Sequence, residues 1–135
     1  MNERIGLLDT SVVIALPALE PIDLPAFPTI SAVTLAELSV GPHVAGSQAE
    51  RRDRQLVLQQ AEASFDPLPF DAACARRFAA VAASLRESGR KTRARAFDAL
   101  IAATAMAHDI PLYTCNARDF EGIAGLDLRA VEPRA

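Results

Sequence analysis

Short apolar runs alternate along this chain with longer stretches of helical character, and that alternation limits the fold more than any other feature. Ile5-Gly6-Leu7-Leu8 reads as a buried strand closing on the carboxylate of Asp9. Thr10-Ser11 offers a helix start before an apolar segment, and Pro17, Pro21, Pro25 and Pro28 then break the chain into a loop. Thr29-Ile30 is a second strand candidate, and Ser31 is a natural N-cap for a helix from Ala32 to Val40 that Gly41-Pro42 stops. A polar helix follows from Gln48 to Ala63, with Arg51, Arg52 and Arg54 facing solvent. The stretch from Phe65 to Phe70 is extended, and Asp71 caps a long helix through Leu85 that stops near Gly89. A basic loop from Arg90 to Arg95 leads into a nearly uncharged helix from Ala96 to Ala107. Ile110 to Thr114 is a strand, Asn116 to Phe120 a turn or short helix, and Leu126 to Val131 a last strand. Strands alternating with helices, without repeats or low-complexity linkers, predict an α/β domain whose mainly parallel sheet is covered on both faces.

At 135 residues the chain is expected to form a single domain over 1–135 with a substantial core. Aromatic residues make up 5% and Trp is absent, so stacking platforms for single-stranded nucleic acid are not a compositional feature. The net charge of −3 argues against a nucleic-acid binder that works by a basic surface alone. That objection weakens where acids gather at a metal site, because a divalent cation cancels part of their field. Cys74 and Cys115 have no CxxC partner and read as reduced packing residues. The apolar run after Met1-Asn2-Glu3-Arg4 is too short for a signal peptide or a membrane span, so a cytoplasmic protein with no membrane partner is expected.

The chemistry-bearing residues share one address. Asp9 ends the first strand, and Glu37 sits inside the helix after the second. Asp98 lies near the start of the least polar helix, while Asn116 and Asp119 follow directly after the strand ending at Thr114. In an open parallel sheet, ligand sites form outside the carboxyl ends of strands, where all five positions can converge. Each has an ordinary alternative. Asp9 can cap a helix, Glu37 can face solvent, Asp98 can complement a helix N-terminus, and Asn116 and Asp119 can be turn residues. Clustered carboxylates repel, and a divalent metal resolves the conflict. Mg²⁺ favours such oxygen ligands, with Mn²⁺ a possible substitute. His43 and His108, the only histidines, follow no zinc spacing.

With these residues in place, the chain resembles the PIN-domain family, and more narrowly its VapC-type toxins. Leu7-Leu8-Asp9-Thr10-Ser11-Val12 resembles the family's first motif, and Ser31-Ala32-Val33-Thr34-Leu35-Ala36-Glu37-Leu38 its second. Asp98-Ala99-Leu100-Ile101-Ala102-Ala103-Thr104-Ala105 resembles the third, and Thr114-Cys115-Asn116-Ala117-Arg118-Asp119-Phe120 the fourth. The resemblance implies a three-layer αβα fold and a Mg²⁺-dependent endoribonuclease, the toxin of a type II toxin–antitoxin pair. It implies that Asp9, Glu37, Asp98 and Asp119 are catalytic, with Asp9 and Asp98 contacting the metal. Asn116 would hold the pocket's geometry, and Thr10 or Ser11 would position Asp9 or touch the metal's water shell. It further implies an RNA substrate, a small VapB-type antitoxin whose helix lies in an apolar groove, and a homodimer. Cys115 stands where many relatives carry Arg, which implies that a basic contact at the pocket mouth is missing here.

Other readings fit less well. A haloacid-dehalogenase-like phosphatase wants a second Asp two residues after the first, where this chain has Ser11. A phosphoacceptor receiver wants a Lys at a late strand end, but Lys91 is the only lysine. A catalytically silent PIN-fold interaction module would lack one or more acids, and all four are present. Arg90, Lys91, Arg93 and Arg95 are candidates for gripping phosphates beside the metal.

Overall fold

A computed structural model describes residues 4–134; Met1-Asn2-Glu3 and Ala135, the ends of the expected single domain, lie outside them. Four parallel strands form one sheet: β1 (Ile5–Leu8), β2 (Phe27–Thr29), β3 (Leu112–Thr114) and β4 (Leu128–Ala130), in the order β2-β1-β3-β4. The helices are α1 (Thr10–Ala15), α2 (Ala32–Val40), α3 (Gln48–Ser64), α4 (Ala72–Glu87) and α5 (Ala96–Ala107). The expected α/β architecture is thus observed. Strands come out shorter than the apolar runs suggest: Ile110, Leu126 and Val131 pack into the core just outside the strands, Val131 still donating its N–H to the Thr114 carbonyl. The Pro-rich loop contains two 3₁₀ turns, Leu16–Ala18 and Pro21–Asp23. Pro28 sits in outer strand β2, opposite Gly6 of β1, where a missing N–H is tolerated.

Period-two alternation in β1 divides the core. Leu7 pairs in register with Leu112 and packs with Ile101, Ala102 and Ala105 of α5, whereas Leu8 pairs with Tyr113 and packs with Val12, Val13 and Leu38 of α1 and α2. Behind α5, Val81 and Leu85 of α4 meet Ala99 and Ala103. This explains why α5 is almost free of charge: its residues Ala99 and Ile101 to Ala105 are all buried between the sheet and α4.

Helix ends follow the expected chemistry. Ser31, Ser47 and Asp71 each accept a backbone N–H of the first turn, from Thr34, Glu50 and Cys74. Arg51 and Arg52 are exposed as expected, while Arg54 bonds the carbonyl of Gly41 and pairs with Glu50. Both cysteines are free; Cys74 is buried and Cys115 partly so. Among the described residues no helix is long and apolar enough to cross a membrane.

Gly6 lets β1 run against its neighbours: a Cβ there would lie 2.6 Å from Cε1 of Tyr113 and 2.8 Å from Pro25. Gly6→Ala is therefore expected to destabilise the fold by about 1–3 kcal/mol, as overpacking of a close-packed interior does, measured by urea denaturation.

Candidate active site

The strand order places a topological switch beside β1: the chain moves outward from β1 to β2, then returns through α2 to α5 to insert β3 on the other side. Crevices outside the carboxyl ends of strands open at such points. Asp9 follows β1 there, and Thr114 ends β3 alongside it. Asp9 is 5% exposed, yet a carboxylate cannot be buried cheaply without donors. Two hydroxyls provide them: Ser11 Oγ donates to Asp9 Oδ2 at 2.8 Å and Thr114 Oγ1 donates to the same oxygen at 2.9 Å. Among the described residues no side chain donates to Oδ1. Ser11 Oγ also accepts the Cys115 N–H at 3.1 Å, so one serine ties Asp9 to the chain after β3.

Glu37 reaches the same neighbourhood from α2. Thr10 donates to Glu37 Oε1 at 2.7 Å, and the Thr10 hydroxyl oxygen lies 3.0 Å from that of buried Thr34. Glu37 is half-buried rather than surface-facing, and burial, then the Asp9 charge, push its carboxyl above the ordinary range against the Thr10 bond. Asp98, in the first turn of α5, is affected more. Burial, followed by the charges of Asp9, Asp119 and Glu37, pushes it up to about 6, with Arg95 partly opposing. Asp98 thus reports that the four acids, far apart in the chain, occupy one electrostatic neighbourhood. Asp119, on the 3₁₀ turn Ala117–Phe120, accepts a hydrogen bond from Arg95 Nη1 at 2.8 Å.

Asn116 meets the site through its backbone. It is exposed, it starts that turn without a side-chain cap bond, and it holds the site through its backbone N–H, which donates to Thr114 Oγ1 at 3.0 Å. In the basic loop, Arg90 Nη1 donates to the carbonyls of Arg118 and Glu121, and Arg95 pairs with Asp119. Thr34 and Thr114 are buried site positions that sequence reasoning passed over. Their only signal was a threonine within two of the acidic motifs.

Beside Glu37 a groove of about 530 Å³ runs between α1, α2 and α3, lined by Thr10, Ile14, Leu38, Arg54 and Val57. Ile14 is 57% exposed on its rim. Val12, Val13 and Leu19 of the apolar early segment are in the core instead, and α3, read from sequence as a solvent-facing helix, supplies a wall. Among the described residues no three His, Cys, Asp or Glu side chains form a preformed metal cage.

The elevated Asp98 carboxyl makes stability depend on pH. Between 3.8 and about 6 the folded state holds a proton that the unfolded chain releases, so stability falls as pH rises through that window. Asp98→Asn is expected to raise Tm above pH 6 and to leave it unchanged at pH values where wild-type Asp98 is protonated in both states, as thermal denaturation across pH would record.

The PIN domain family model matches residues 6–126. Ribonuclease VapC5 of Mycobacterium tuberculosis is 36% identical over 123 residues, covering 89% of this chain and 88% of that protein. Ribonuclease VapC4 of the same organism is 37% identical over 117 residues, covering 84% and 88%. Among solved structures, the VapBC-5 toxin–antitoxin complex from Mycobacterium tuberculosis contains a chain that superposes with a TM-score of 0.77 at 33% identity, covering 96% of this chain and 98% of that one. With matching spans of nearly the whole chain, and with its acids gathered at the switch point of a parallel sheet, the protein belongs to the PIN-domain family, in its VapC ribonuclease branch.

Proposed function

We propose that this protein is a divalent-metal-dependent endoribonuclease that serves as the toxin of a VapBC-type pair. The observation that carries the mechanism is the position of Asp98 in the combined field of Asp9, Glu37 and Asp119. That field suits a cation, and an all-oxygen donor set suits a hard one such as Mg²⁺ or Mn²⁺. A tight cage of three acids is not required, because Mg²⁺ is commonly held by one or two carboxylates and keeps several waters.

Asp9 and Asp98 are the residues we assign to hold the ion, Asp9 through the carboxylate oxygen that Ser11 and Thr114 leave free. A bound divalent cation would supply charge neutralisation for the phosphodiester and activation of the attacking water. The chain's own groups do the rest. The Ser11 and Thr114 hydroxyls fix the Asp9 rotamer. Thr10 orients Glu37, whose carboxyl, raised by burial, is a stronger base than an ordinary glutamate. Asp119 adds negative charge that draws the cation and is itself held by Arg95.

The partner reading rests on the groove beside Glu37. Its apolar floor and rim, Ile14, Leu38 and Val57, fit the apolar face of an amphipathic helix, and it ends at acids that a basic side chain of the same partner can reach. The relatives of known structure are toxin–antitoxin complexes, which supports a VapB-type partner. Exposed Val40 and Val44 offer further apolar surface, consistent with the homodimer that the family resemblance implies.

Asp9→Asn is expected to keep the fold and lower RNA cleavage by about a hundredfold or more, since even outer partners of metal ligands are worth 10–100-fold. Cleavage at the wild-type rate by the purified variant would remove the assignment. EDTA is expected to stop cleavage of total RNA and Mg²⁺ or Mn²⁺ to restore it; full activity in chelator would indicate a metal-free ribonuclease. Expression alone is expected to arrest growth, with relief by a co-expressed small antitoxin, and Ile14→Asp in the groove is expected to abolish that relief while leaving RNA cleavage in place.

A further inference from the structure

The acidic site carries its own cation. Among the described residues, Arg95 is the only basic side chain within ion-pair distance of the four acids: its Nη1 lies 2.8 Å from Asp119 Oδ1 and 4.0 Å from Asp98 Oδ2. It stands in the 3₁₀ turn Arg93–Arg95, directly before the helix that presents Asp98, so it spans the two motifs from α5 and from the end of β3. The contact is not a buried clamp. Arg95 and Asp119 are each about one-third exposed, Asp98 is one-quarter exposed, and the Asp98 contact is long. Partly exposed pairs of this kind are weak, and a surface arginine changes rotamer quickly.

The same side chain borders a second space. Arg95 lines an open groove of about 380 Å³ with Ser88, Arg90, Arg118, Asp119, Glu121 and Gly122, continuous with the acids through Asp119. Arg90 keeps the groove's shape by bonding the carbonyls of Arg118 and Glu121, with the Glu121 carboxylate 3.6 Å away, and Arg118 is exposed at its edge. The groove therefore brings three guanidinium groups to one side of the acidic centre. A planar guanidinium binds phosphate oxygens in pairs as readily as it binds a carboxylate.

We propose that Arg95 is an exchangeable counter-cation: it neutralises Asp98 and Asp119 until a divalent ion binds at Asp9 and Asp98, and then turns into the adjoining groove to hold a phosphate of the RNA. The phosphate half of this proposal rests on the ribonuclease reading; the competition with the ion does not. An ion held by Asp9 and Asp98 repels a guanidinium that lies 4.0 Å from Asp98, so ion binding expels it. The expelled group gains a site whose other basic residue with a fixed position, Arg90, is already tied to the backbone. The device would keep the free protein's acids from repelling one another and would couple metal loading to substrate binding.

Titration calorimetry of Mn²⁺ into the purified chain tests the competition without any catalysis. Arg95→Gln is expected to bind Mn²⁺ about tenfold more tightly than wild type, the size a partly screened unit charge a few ångströms away would produce. Arg95→Lys, which keeps the charge, is expected to stay near wild type. Binding of a 2′-O-methylated RNA oligonucleotide, followed by fluorescence anisotropy in EDTA and in Ca²⁺, tests the exchange. Arg95→Gln is expected to match wild type in EDTA and to bind about fivefold more weakly in Ca²⁺, and Arg95→Lys to lose part of the Ca²⁺-dependent affinity because it lacks the fork. Unchanged Mn²⁺ affinity in Arg95→Gln overturns the proposal, as does an equal loss of RNA affinity with and without Ca²⁺. Failure of the wild type to cleave any RNA in Mg²⁺ would instead overturn the ribonuclease reading, with the Mn²⁺ titration still deciding the role of Arg95.

Discussion

The buried carboxylate of Asp9 is the constraint around which the rest of this protein is arranged. A charge at the end of a central strand, 5% exposed, must be met by donors or by a cation. The donors are two hydroxyls, one from the first turn of α1 and one from the end of β3. Because β1 and β3 are neighbours in register, Leu8 opposite Tyr113, the hydroxyl of Thr114 arrives beside Asp9 as a direct consequence of sheet pairing. Leu7 and Leu8, facing opposite layers, anchor that register from both sides.

Electrostatics then separates the four acids by role. Asp9 is served by hydroxyls, Glu37 by one threonine, Asp119 by an arginine, and Asp98 by little except that same arginine at 4.0 Å. The acid with the weakest support is the one whose carboxyl rises to about 6. Such an arrangement stores unfavourable charge in the free protein, and a cation relieves it. Stability given up at one edge of the sheet is offset by the dense apolar layers on both faces, above all α5, which is buried over most of its length.

The two grooves that flank the acids have different characters. The one beside Glu37 is apolar and bounded by three helices, suited to a helical partner. The one beside Asp119 is polar, with three arginines set among Asp119, Glu121, Ser88 and Gly122. Family membership fits this division, since the VapC relatives are ribonucleases by name and the VapBC structures hold an antitoxin with the toxin. Cys115 is absorbed by the structure: its backbone N–H bonds Ser11 Oγ and its side chain packs against the core, while the arginines beside the acids, Arg90, Arg95 and Arg118, lie in the second groove.

The order and type of the elements were legible in the sequence because their causes are local. Caps such as Ser31 and Asp71, the stop at Gly41-Pro42, and the charge-free run of α5 act within a few residues. The acids were legible too, because each follows a strand end, and the carboxyl ends of parallel strands lie on one edge by topology. What the tertiary structure alone decided is who meets whom. Nothing near Asp9 in the chain announces Thr114 as its donor, |i−j| being 105 residues, and nothing in the basic loop announces that Arg90 would be spent on carbonyls and Arg95 on Asp98 and Asp119. The amphipathic face of α3 looked solvent-bound until α1 and α2 were placed beside it to make a groove. Local propensity reads along the chain; pairing across the sheet and the partner of each charge depend on distances that only the packed layers set.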